Sequence, residues 1–557
     1  MSTIDLLLVH ADDHRPVLER GLDATAALDG PAPPALPPPD FLWSESAAAN
    51  ELPRQRWGVI APQGDAGERL LDAMAPLMGR REEQQGARVE VYRVPARLSL
   101  DEAARWKKRI FRPETGLETH VPRYQLVLGD LDQVPASIQI ALSTDGFVGR
   151  LGFDQVDDYR AYADKVLAWE ARPSSARVGD AMLHTVHDGT AATGDGYRGI
   201  MQPAYEILRE RRHLGEVQAR YVRDVSSLHP HPDDLWDIAD SDRPRVVLTL
   251  AQGEGAPRAG WPSAEAQRRE QGAVSFGNGR RIAASDVARR VFLPGGVWFS
   301  LACFGAGTPA TSAYHAWVDE LVRLGHLGRD IARVRDSLAL DRPFIAGLPK
   351  ALLANPHGPL AFIGHIDLAW SYSFADIDDR PGHHRPGRFA ELMKSLLARD
   401  RVGVAFRSVS RLLAEVSTEL VGLDENGEPG SAREQARRAH LWMLRHDLAG
   451  YVVLGDPAVR LPLASDDPMA SAAPALQSAA PNTMDVLDLR DVPASEGHAA
   501  APALPLPLAE LEQAIGKVLS GCFDIETVAR AHGLTRGDLG RWVERYRTAG
   551  QAALIEA

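Results

Sequence analysis

Runs of consecutive apolar residues alternate along the chain with stretches in which apolar residues have helical spacing. Apolar runs stand at 56–62, 89–95 and 124–130, and helical spacing covers 65–79 and 101–111. Strands that are apolar throughout are buried on both faces, and their alternation with helices is typical of a parallel sheet. The pattern therefore predicts an α/β fold with a mostly parallel sheet sandwiched by helices.

The same alternation continues through the middle of the chain. The further predicted strands are 181–186, 245–251, 296–302, 358–365 and 451–461, and the further predicted helices are 158–170, 198–215, 312–325, 388–400 and 404–423. Two of these strands, 245–251 and 296–302, are apolar throughout and run into glycine-containing turns. Neighbouring strands of a parallel sheet end at the same edge, so we expect the residues that follow them to lie together.

Composition divides the chain further. Residues 1–54 open with a possible strand and continue into the proline-rich GPAPPALPPPD, which holds neither helix nor sheet. We divide the α/β region into portions 55–180 and 181–463. Residues 464–507 are rich in Ala, Pro and Ser without periodicity, which predicts a disordered linker. Residues 508–557 show three helical stretches, which predicts a small all-α, helix-turn-helix-like module.

The bulk composition is that of a soluble globular chain, with 557 residues, 45% hydrophobic and 25% charged. A net charge of −13 argues against a generally nucleic-acid-binding or anionic-membrane-binding surface. No apolar stretch approaches the ~20 residues that cross a bilayer, and the first residues lack the basic region of a signal peptide. With two cysteines, Cys303 and Cys522, a disulfide framework is not expected. We therefore expect a cytoplasmic protein with no membrane partner.

Polar residues follow the two most apolar strands. Gln252 and Gly253 follow the first, in VVLTLAQGEGAP, and Cys303 follows the second, in GVWFSLACFGAGTP. A thiol at this position lies where α/β folds place catalysis. The backbone amides of Cys303, Phe304 and Gly305 could then form an oxyanion hole. An ordinary thiol supplies only a few per cent of thiolate at neutral pH, so a cysteine nucleophile needs a neighbouring base.

These strand ends resemble those of caspase-like, gingipain-like cysteine peptidases, in which a His-Gly pair follows one strand and an Ala-Cys pair follows the next. The resemblance spans about residues 55–462. The blocks that carry it are TLAQGEGAP, QGAVSFGNG, FSLACFGAGTP, GPLAFIGHIDLAWSYSF and YVVLGDPAVRL, typical of a bacterial subgroup, with YQLVLGDLDQVP and DGFVGRLGFD similar to its N-terminal portion. The resemblance implies a caspase-like fold, a peptide or protein substrate, and Cys303 as a nucleophile that forms a thioester.

The chain departs from this family at the base. Gln252 stands where the family has its histidine, and a carboxamide cannot take the thiol proton at physiological pH. Loss of a general base commonly costs ~10²–10⁴-fold in rate. The glutamine is either natural, marking a pseudoenzyme, or an introduced substitution. His365 is the best alternative base, although a structural histidine beside Asp367 is the more ordinary interpretation.

Other histidines are weaker candidates. His184 and His187 are spaced like a pair of metal ligands, but no third ligand with convincing spacing follows, so we predict no metal and no cofactor. We expect His315 on a helix surface and the pair His383–His384 in a solvated loop.

Three functions remain open at this point. The leading hypothesis is a caspase-like cysteine peptidase scaffold with Gln252 in the histidine position. The first alternative is a non-catalytic pseudo-peptidase that binds peptide or protein segments and signals through residues 508–557. The second is a regulator that binds DNA through that module, whose third helical stretch carries Arg536, Arg541, Arg545 and Arg547. Acidic residues balance these cations, so docking of a partner protein fits the module equally well.

Overall fold

The computed structural model describes residues 3–464, apart from 19, 24–25, 27–47, 112–120, 173–175, 242, 326–341, 371–384 and 426–430, together with 529, 534, 535, 537, 539, 541 and 543. It divides into two compact units, Met1–Pro474 and Ala475–Ala557. The proline-rich stretch, His383–His384, and nearly all of the predicted linker and C-terminal module lie outside the described residues.

The strands of the first unit follow the predicted apolar runs and add several short ones. In chain order they are β1 (Thr3–Ile4), β2 (Leu8–His10), β3 (Leu22–Asp23), β4 (Trp57–Pro62), β5 (Glu90–Val94), β6 (Tyr124–Leu128), β7 (Phe147–Leu151), β8 (Gly179–Thr185), β9 (Ala219–Asp224), β10 (Arg245–Leu250), β11 (Gln252–Gly255), β12 (Val274–Ser275), β13 (Arg281–Ile282), β14 (Val297–Leu301), β15 (Gly307–Thr308), β16 (Phe344–Ile345), β17 (Ala361–His365) and β18 (Tyr451–Leu454).

Helices separate most of the long strands. In chain order they are α1 (Leu52–Gln55), α2 (Asp65–Gln85), α3 (Leu100–Trp106), α4 (Ala136–Ser143), α5 (Val156–Ala171), α6 (Ala191–Gly196), α7 (Gln202–His213), α8 (Pro232–Ala239), α9 (Ala264–Glu270), α10 (Ala284–Val287), α11 (His315–Arg323), α12 (Gly347–Ala354), α13 (Arg385–Leu397), α14 (Val402–Glu425) and α15 (Ala432–Gly450). Short π-helical turns, Lys107–Phe111 and Tyr197–Met201, follow α3 and α6.

Ten strands form one sheet in the order β5-β4-β6-β7-β18-β17-β14-β10-β8-β9. Neighbours are parallel throughout except β17 and β18, which pair antiparallel. The predicted α/β fold with a mostly parallel sheet is therefore confirmed. The single antiparallel junction turns the two halves of the sheet in opposite directions, so the carboxyl ends of β8, β10, β14 and β17 share one edge.

Helices cover both faces of the sheet, as alternate residues of a single strand show. Val59 of β4 belongs to the core that contains Leu70 of α2, whereas its neighbour Ile60 belongs to a second core with Trp106 of α3 and Ile138 of α4. Successive side chains of a strand point to opposite faces, so these two cores lie on opposite sides of the sheet. This arrangement explains why β4 is buried along its whole length.

The two predicted portions of the α/β region are joined in one sheet. Strands β4 to β7 come from residues 55–180, yet β18, which follows all other strands of the first unit, inserts between β7 and β17. The loop after β18 is held by Asp456, whose carboxylate accepts hydrogen bonds from Trp57 Nε1 at 2.9 Å and Arg81 Nη2 at 2.7 Å. Both Arg81 and Asp456 have fully buried side chains. This ion pair therefore anchors α2 of the first half to the strand that returns from the second.

The described residues of the second unit include helical ones with buried apolar side chains. Ala529, Leu539 and Val543 are buried, and the Leu534 amide donates to the Ala529 carbonyl at 2.8 Å. Helices are thus present in this unit, while its DNA-binding or docking role stays a prediction. Within the described part of the chain, no helix combines the length and the apolar character that crossing a membrane requires.

Replacing Asp456 tests the buried ion pair. In Asp456→Ala, the buried guanidinium of Arg81 loses one of its two carboxylate partners, since Glu170 still pairs with it at 2.7 Å, and Trp57 Nε1 loses its acceptor. The free energy of unfolding should fall by about 2–3 kcal/mol. The matched control is Arg160→Ala, which breaks an exposed pair with Asp157 and should cost less than about 1 kcal/mol. Urea denaturation of the three proteins measures the difference, and equal losses would contradict the anchoring role.

Candidate functional site

Gln252 and Cys303 lie beside each other because their strands pair in register. In the parallel pair β10–β14, Leu250 is opposite Leu301, and each candidate residue follows two positions later. The two backbones stay close beyond the strands, since a Cβ atom on Gly253 would lie 1.9 Å from the Cys303 carbonyl oxygen. Only glycine fits at position 253.

Two backbone amides converge on a single carbonyl oxygen at this edge. The amide of Gly253 donates to the carbonyl oxygen of Leu7 at 2.9 Å, and the amide of Cys303 donates to the same oxygen at 3.3 Å. Donors arranged in this way can stabilise negative charge that develops on a carbonyl oxygen. The arrangement is therefore an oxyanion-hole-like pair, and the peptide oxygen between the donors belongs to the same chain.

The pair differs from the one that the sequence predicts. The amide of Phe304 donates to the Asp367 carbonyl at 3.0 Å, and that of Gly305 to the Ala302 carbonyl at 3.4 Å. Phe304 adopts a left-handed φ of 55°, which turns the chain immediately after Cys303. The predicted amides of Phe304 and Gly305 are thus engaged elsewhere, and the amide of Gly253 joins that of Cys303 in their place.

The thiol of Cys303 is buried and protonated. Its side chain is 0% exposed, and Sγ donates to the Ala369 carbonyl at 3.5 Å and accepts from the Ala369 amide at 3.1 Å. Burial raises the pKa of the Cys303 thiol well above its ordinary value, and the Asp447 and Asp367 carboxylates raise it further. The Ala369 amide lowers this pKa without reversing the direction. The surroundings therefore favour the thiol over the thiolate.

The side chain of Gln252 belongs to a chain of polar groups with residues that follow β8. Its Nε2 donates to Thr190 Oγ1 at 3.0 Å, and Thr190 Oγ1 donates to Asp188 Oδ1 at 2.7 Å. Oε1 of Gln252 is buried and has no hydrogen-bond partner among the described residues. The carboxamide therefore bonds towards the end of β8, whereas the Cys303 thiol bonds Ala369 after β17, and a carboxamide takes up no proton at physiological pH.

His365 is fixed by backbone groups on both sides of its ring. Nδ1 accepts from the Asp367 amide at 3.1 Å, and Nε2 donates to the Asp447 carbonyl at 2.9 Å. Complete burial lowers the pKa of His365 to about 4, so the ring is neutral at physiological pH. These contacts are those of a structural histidine, and both ring nitrogens are already occupied.

The other candidate histidines, His184, His187 and His315, are not grouped in one site. His184 Nδ1 lies 3.3 Å from the Val225 carbonyl oxygen, and His187 packs edge-on against Tyr197 with ring centroids 4.8 Å apart. His315 is 43% exposed and pairs with a carboxylate on its own helix. Across the described part of the chain, no three His, Cys, Asp or Glu side chains are grouped so as to hold a metal ion.

Sequence reasoning missed four residues that shape the site: Leu7, Thr190, Ala369 and Asp447. Leu7 and Ala369 act through backbone groups, which leave no trace in residue type. Asp447 lies on α15, a helix that the apolar pattern did not predict. The LLLV run around Leu7 was the one available signal, since it marks a strand that needs a partner.

Comparisons with known proteins find distant likenesses in structure only. No family model and no curated protein matches the chain. Solved structures that match include the Arg-specific cysteine proteinase gingipain R, at 13% identity and TM-score 0.42 over 76% of this chain and 80% of that one. A complex of the pro- and mature domains of Porphyromonas gingivalis RgpB matches at 13% identity and TM-score 0.44, over 73% of this chain and 79% of that one.

The Saccharomyces cerevisiae separase–securin complex also matches, at 12% identity and TM-score 0.28, over 60% of this chain and 15% of that one. All of these likenesses are too distant to bear on the chemistry of the site.

Two buried groups, His365 and Asp367, make opposite contributions to stability as pH falls. The folded-state pKa of His365, about 4, is below its ordinary value, so its contribution is present above pH ~6.5 and is lost towards pH 4. Burial raises the pKa of Asp367 to about 6, so the folded state takes up this proton first and gains stability as pH falls from 6 to 4. Asp367 therefore offsets part of the loss from His365.

Asp367→Asn should make the acid loss of stability steeper. Without the carboxylate, the protein loses a compensating contribution on the order of 3 kcal/mol between pH 6.5 and pH 4. Urea unfolding at a series of pH values measures this as a larger fall in the free energy of unfolding than in the wild type. Asp157→Asn, at an exposed site, is the control and should follow the wild-type profile. Parallel profiles for all three proteins would contradict the assignment.

Proposed function

We propose that the protein is a caspase-like pseudo-peptidase that binds an extended polypeptide segment across the ends of β10 and β14 without hydrolysing it. The observation that carries this proposal is the pair of amides from Gly253 and Cys303, which both donate to one peptide carbonyl oxygen at the position of the thiol. Such a pair selects the backbone of a bound polypeptide, whatever its side chains.

The amide pair supports a peptidase ancestry for the scaffold. The Gly253 distance of 2.9 Å is within the range that oxyanion donors require, and the Cys303 distance of 3.3 Å is slightly longer. In a peptidase, Sγ would attack the carbonyl carbon held here and form a thioester, while the base passes the thiol proton to the leaving amine. The site thus has the two hydrogen-bond donors that acyl transfer needs at the carbonyl oxygen.

Two features oppose hydrolysis. Gln252 supplies no basic nitrogen, and its Nε2 is committed to Thr190. Cys303 is buried near the carboxylates of Asp367 and Asp447, which disfavour a thiolate. Neither the nucleophile nor the base is therefore in the form that catalysis needs, which is why binding is proposed in preference to cleavage.

A histidine at position 252 would find a support already in place. Thr190 Oγ1, which now accepts from Gln252 and donates to Asp188, lies where a ring N–H could bond. Support of this kind fixes the tautomer and orientation of a catalytic imidazole. The scaffold is therefore proposed to lack one residue of a working dyad.

The Gln252→His variant tests this proposal. Hydrolysis of an extended-peptide library is measured for the wild type, for Gln252→His, for Cys303→Ala, and for Gln252→His with Cys303→Ala. Each is tested as the full chain and as a version that begins at residue 11, which lacks the Leu7 carbonyl that occupies the amide pair. The wild type should show no cleavage above background. Gln252→His should cleave at least ~10²-fold faster in the shortened version, because it regains a general base, and Cys303→Ala should abolish this gain.

Gln252→Asn is the matched control, since it changes the same side chain without adding a base. Cleavage by the wild type that disappears in Cys303→Ala would show an active peptidase and refute the proposal. A Gln252→His protein that stays silent in both versions would show that the site is not a disabled peptidase site.

A further inference from the structure

The segment Thr3–His10 lies across the candidate site as an extended strand. Its second half, β2, pairs in parallel with β11, which begins at Gln252, with Leu8 opposite Gly253. Its first half forms an antiparallel bridge between Leu6 and Trp370, on the other side of Cys303. The segment therefore bridges two strands that would otherwise leave an open groove over the thiol.

Leu7 is at the centre of this crossing, and both of its backbone polar groups are used. Its carbonyl oxygen accepts from Gly253 and Cys303, and its amide donates to the Ala369 carbonyl at 3.4 Å. An extended polypeptide offers these two groups at every residue, so any strand of the same direction can form the same bonds. The position of Leu7 is therefore that of a bound ligand residue.

The side chains of the segment are buried in the groove over Cys303. Leu6, Leu7 and Leu8 are between 0% and 2% exposed. Leu8 packs directly on β11, where a Cβ atom on Gly255 would lie 2.9 Å from its side-chain carbons. The groove thus accepts three consecutive aliphatic residues, and their burial excludes water from Cys303.

Contacts beyond the groove also hold the segment, one of them partly exposed and one buried. Arg258 pairs with Asp13 at 2.9 Å, with both side chains 34% exposed. His14 approaches the buried Glu254 at 3.0 Å, and Glu254 also pairs with Arg281 at 2.7 Å. The Arg258–Asp13 pair is exposed in part and is therefore weak and screened by salt. The His14–Glu254 contact is buried, with side chains 9% and 0% exposed, so release of the segment has to break this contact as well as the bonds in the groove.

We infer that Thr3–His10 is a displaceable ligand of its own peptide-binding groove, and that the partner of this protein is a polypeptide that presents an extended run of aliphatic residues in its place. The inference rests on the proposed function and names the partner class for that site. Because the resident segment is tethered, its effective concentration is on the order of mM, so a free peptide competes poorly until the segment is released.

The test uses a fluorescent copy of the segment, TIDLLLVH, and its binding to the full chain by anisotropy. The double variant Leu7→Asp/Leu8→Asp places two charges in the buried part of the groove and should expel the resident segment. The labelled peptide should then bind at least tenfold more tightly than to the wild type. Arg20→Asp, which changes an exposed residue of the same region, is the control and should bind as the wild type does.

A second measurement on the wild-type chain keeps the inference testable if the double variant does not fold. Excess unlabelled TIDLLLVH should increase hydrogen exchange of the Leu7 and Leu8 amides at least tenfold, whereas TIDLDDVH should not. In a Cys522→Ser background, the same peptide should leave Cys303 protected from alkylation, because the bound peptide covers the thiol as the resident segment did.

Equal affinity of TIDLLLVH for the wild type and a folded double variant, or unchanged exchange of Leu7 and Leu8 under excess peptide, would overturn the inference. Either result would rule out Thr3–His10 as a displaceable ligand. Neither would affect the evidence for a disabled dyad that hydrolysis by Gln252→His provides. Conversely, a silent Gln252→His protein refutes the disabled dyad even where the peptide displaces the segment.

Discussion

The in-register pairing of Leu250 with Leu301 in neighbouring parallel strands determines where the backbone goes immediately after them. It brings Gly253 so close to the Cys303 carbonyl that no side chain fits, and it aims the amides of both residues at one point. A strand can satisfy these donors only by placing a carbonyl oxygen there, because buried amides without partners are costly. The geometry of two strand ends therefore presents two buried donors, and the Leu7 carbonyl satisfies both.

The electrostatics of the same edge disfavour a thiolate. Burial raises the pKa of the Cys303 thiol, the carboxylates of Asp447 and Asp367 raise it further, and His365 is neutral with both ring nitrogens hydrogen-bonded. A working cysteine nucleophile has cationic or basic neighbours that lower the thiol pKa. Here the neighbours act in the opposite direction, while the peptide-holding amides are intact. The part of the site that holds a backbone is thus separate from the part that would cleave it.

The sheet explains how one edge gathers residues from distant parts of the chain. The antiparallel junction between β17 and β18 reverses the direction of the sheet, so the carboxyl ends of β8, β10, β14 and β17 form an edge of their own. Thr190, Gln252, Cys303 and Asp367 follow these strands. The segment around Leu7 then joins this edge through backbone bonds alone. The same topology ties β18 to the first half through Asp456, which fixes the junction itself.

The sequence by itself determined the fold class, because continuous apolar strands such as 245–251 and 296–302 are stable only when both faces of a sheet are covered. It also pointed to Gln252 and Cys303, since polar residues directly after such strands stand out from the pattern. Only the tertiary structure decided which amides face the site, that backbone groups bond both ring nitrogens of His365, and that Leu7 lies over Cys303. These features depend on backbone hydrogen bonds and on burial by segments far away in the chain, and neither is encoded in the local pattern of residue types.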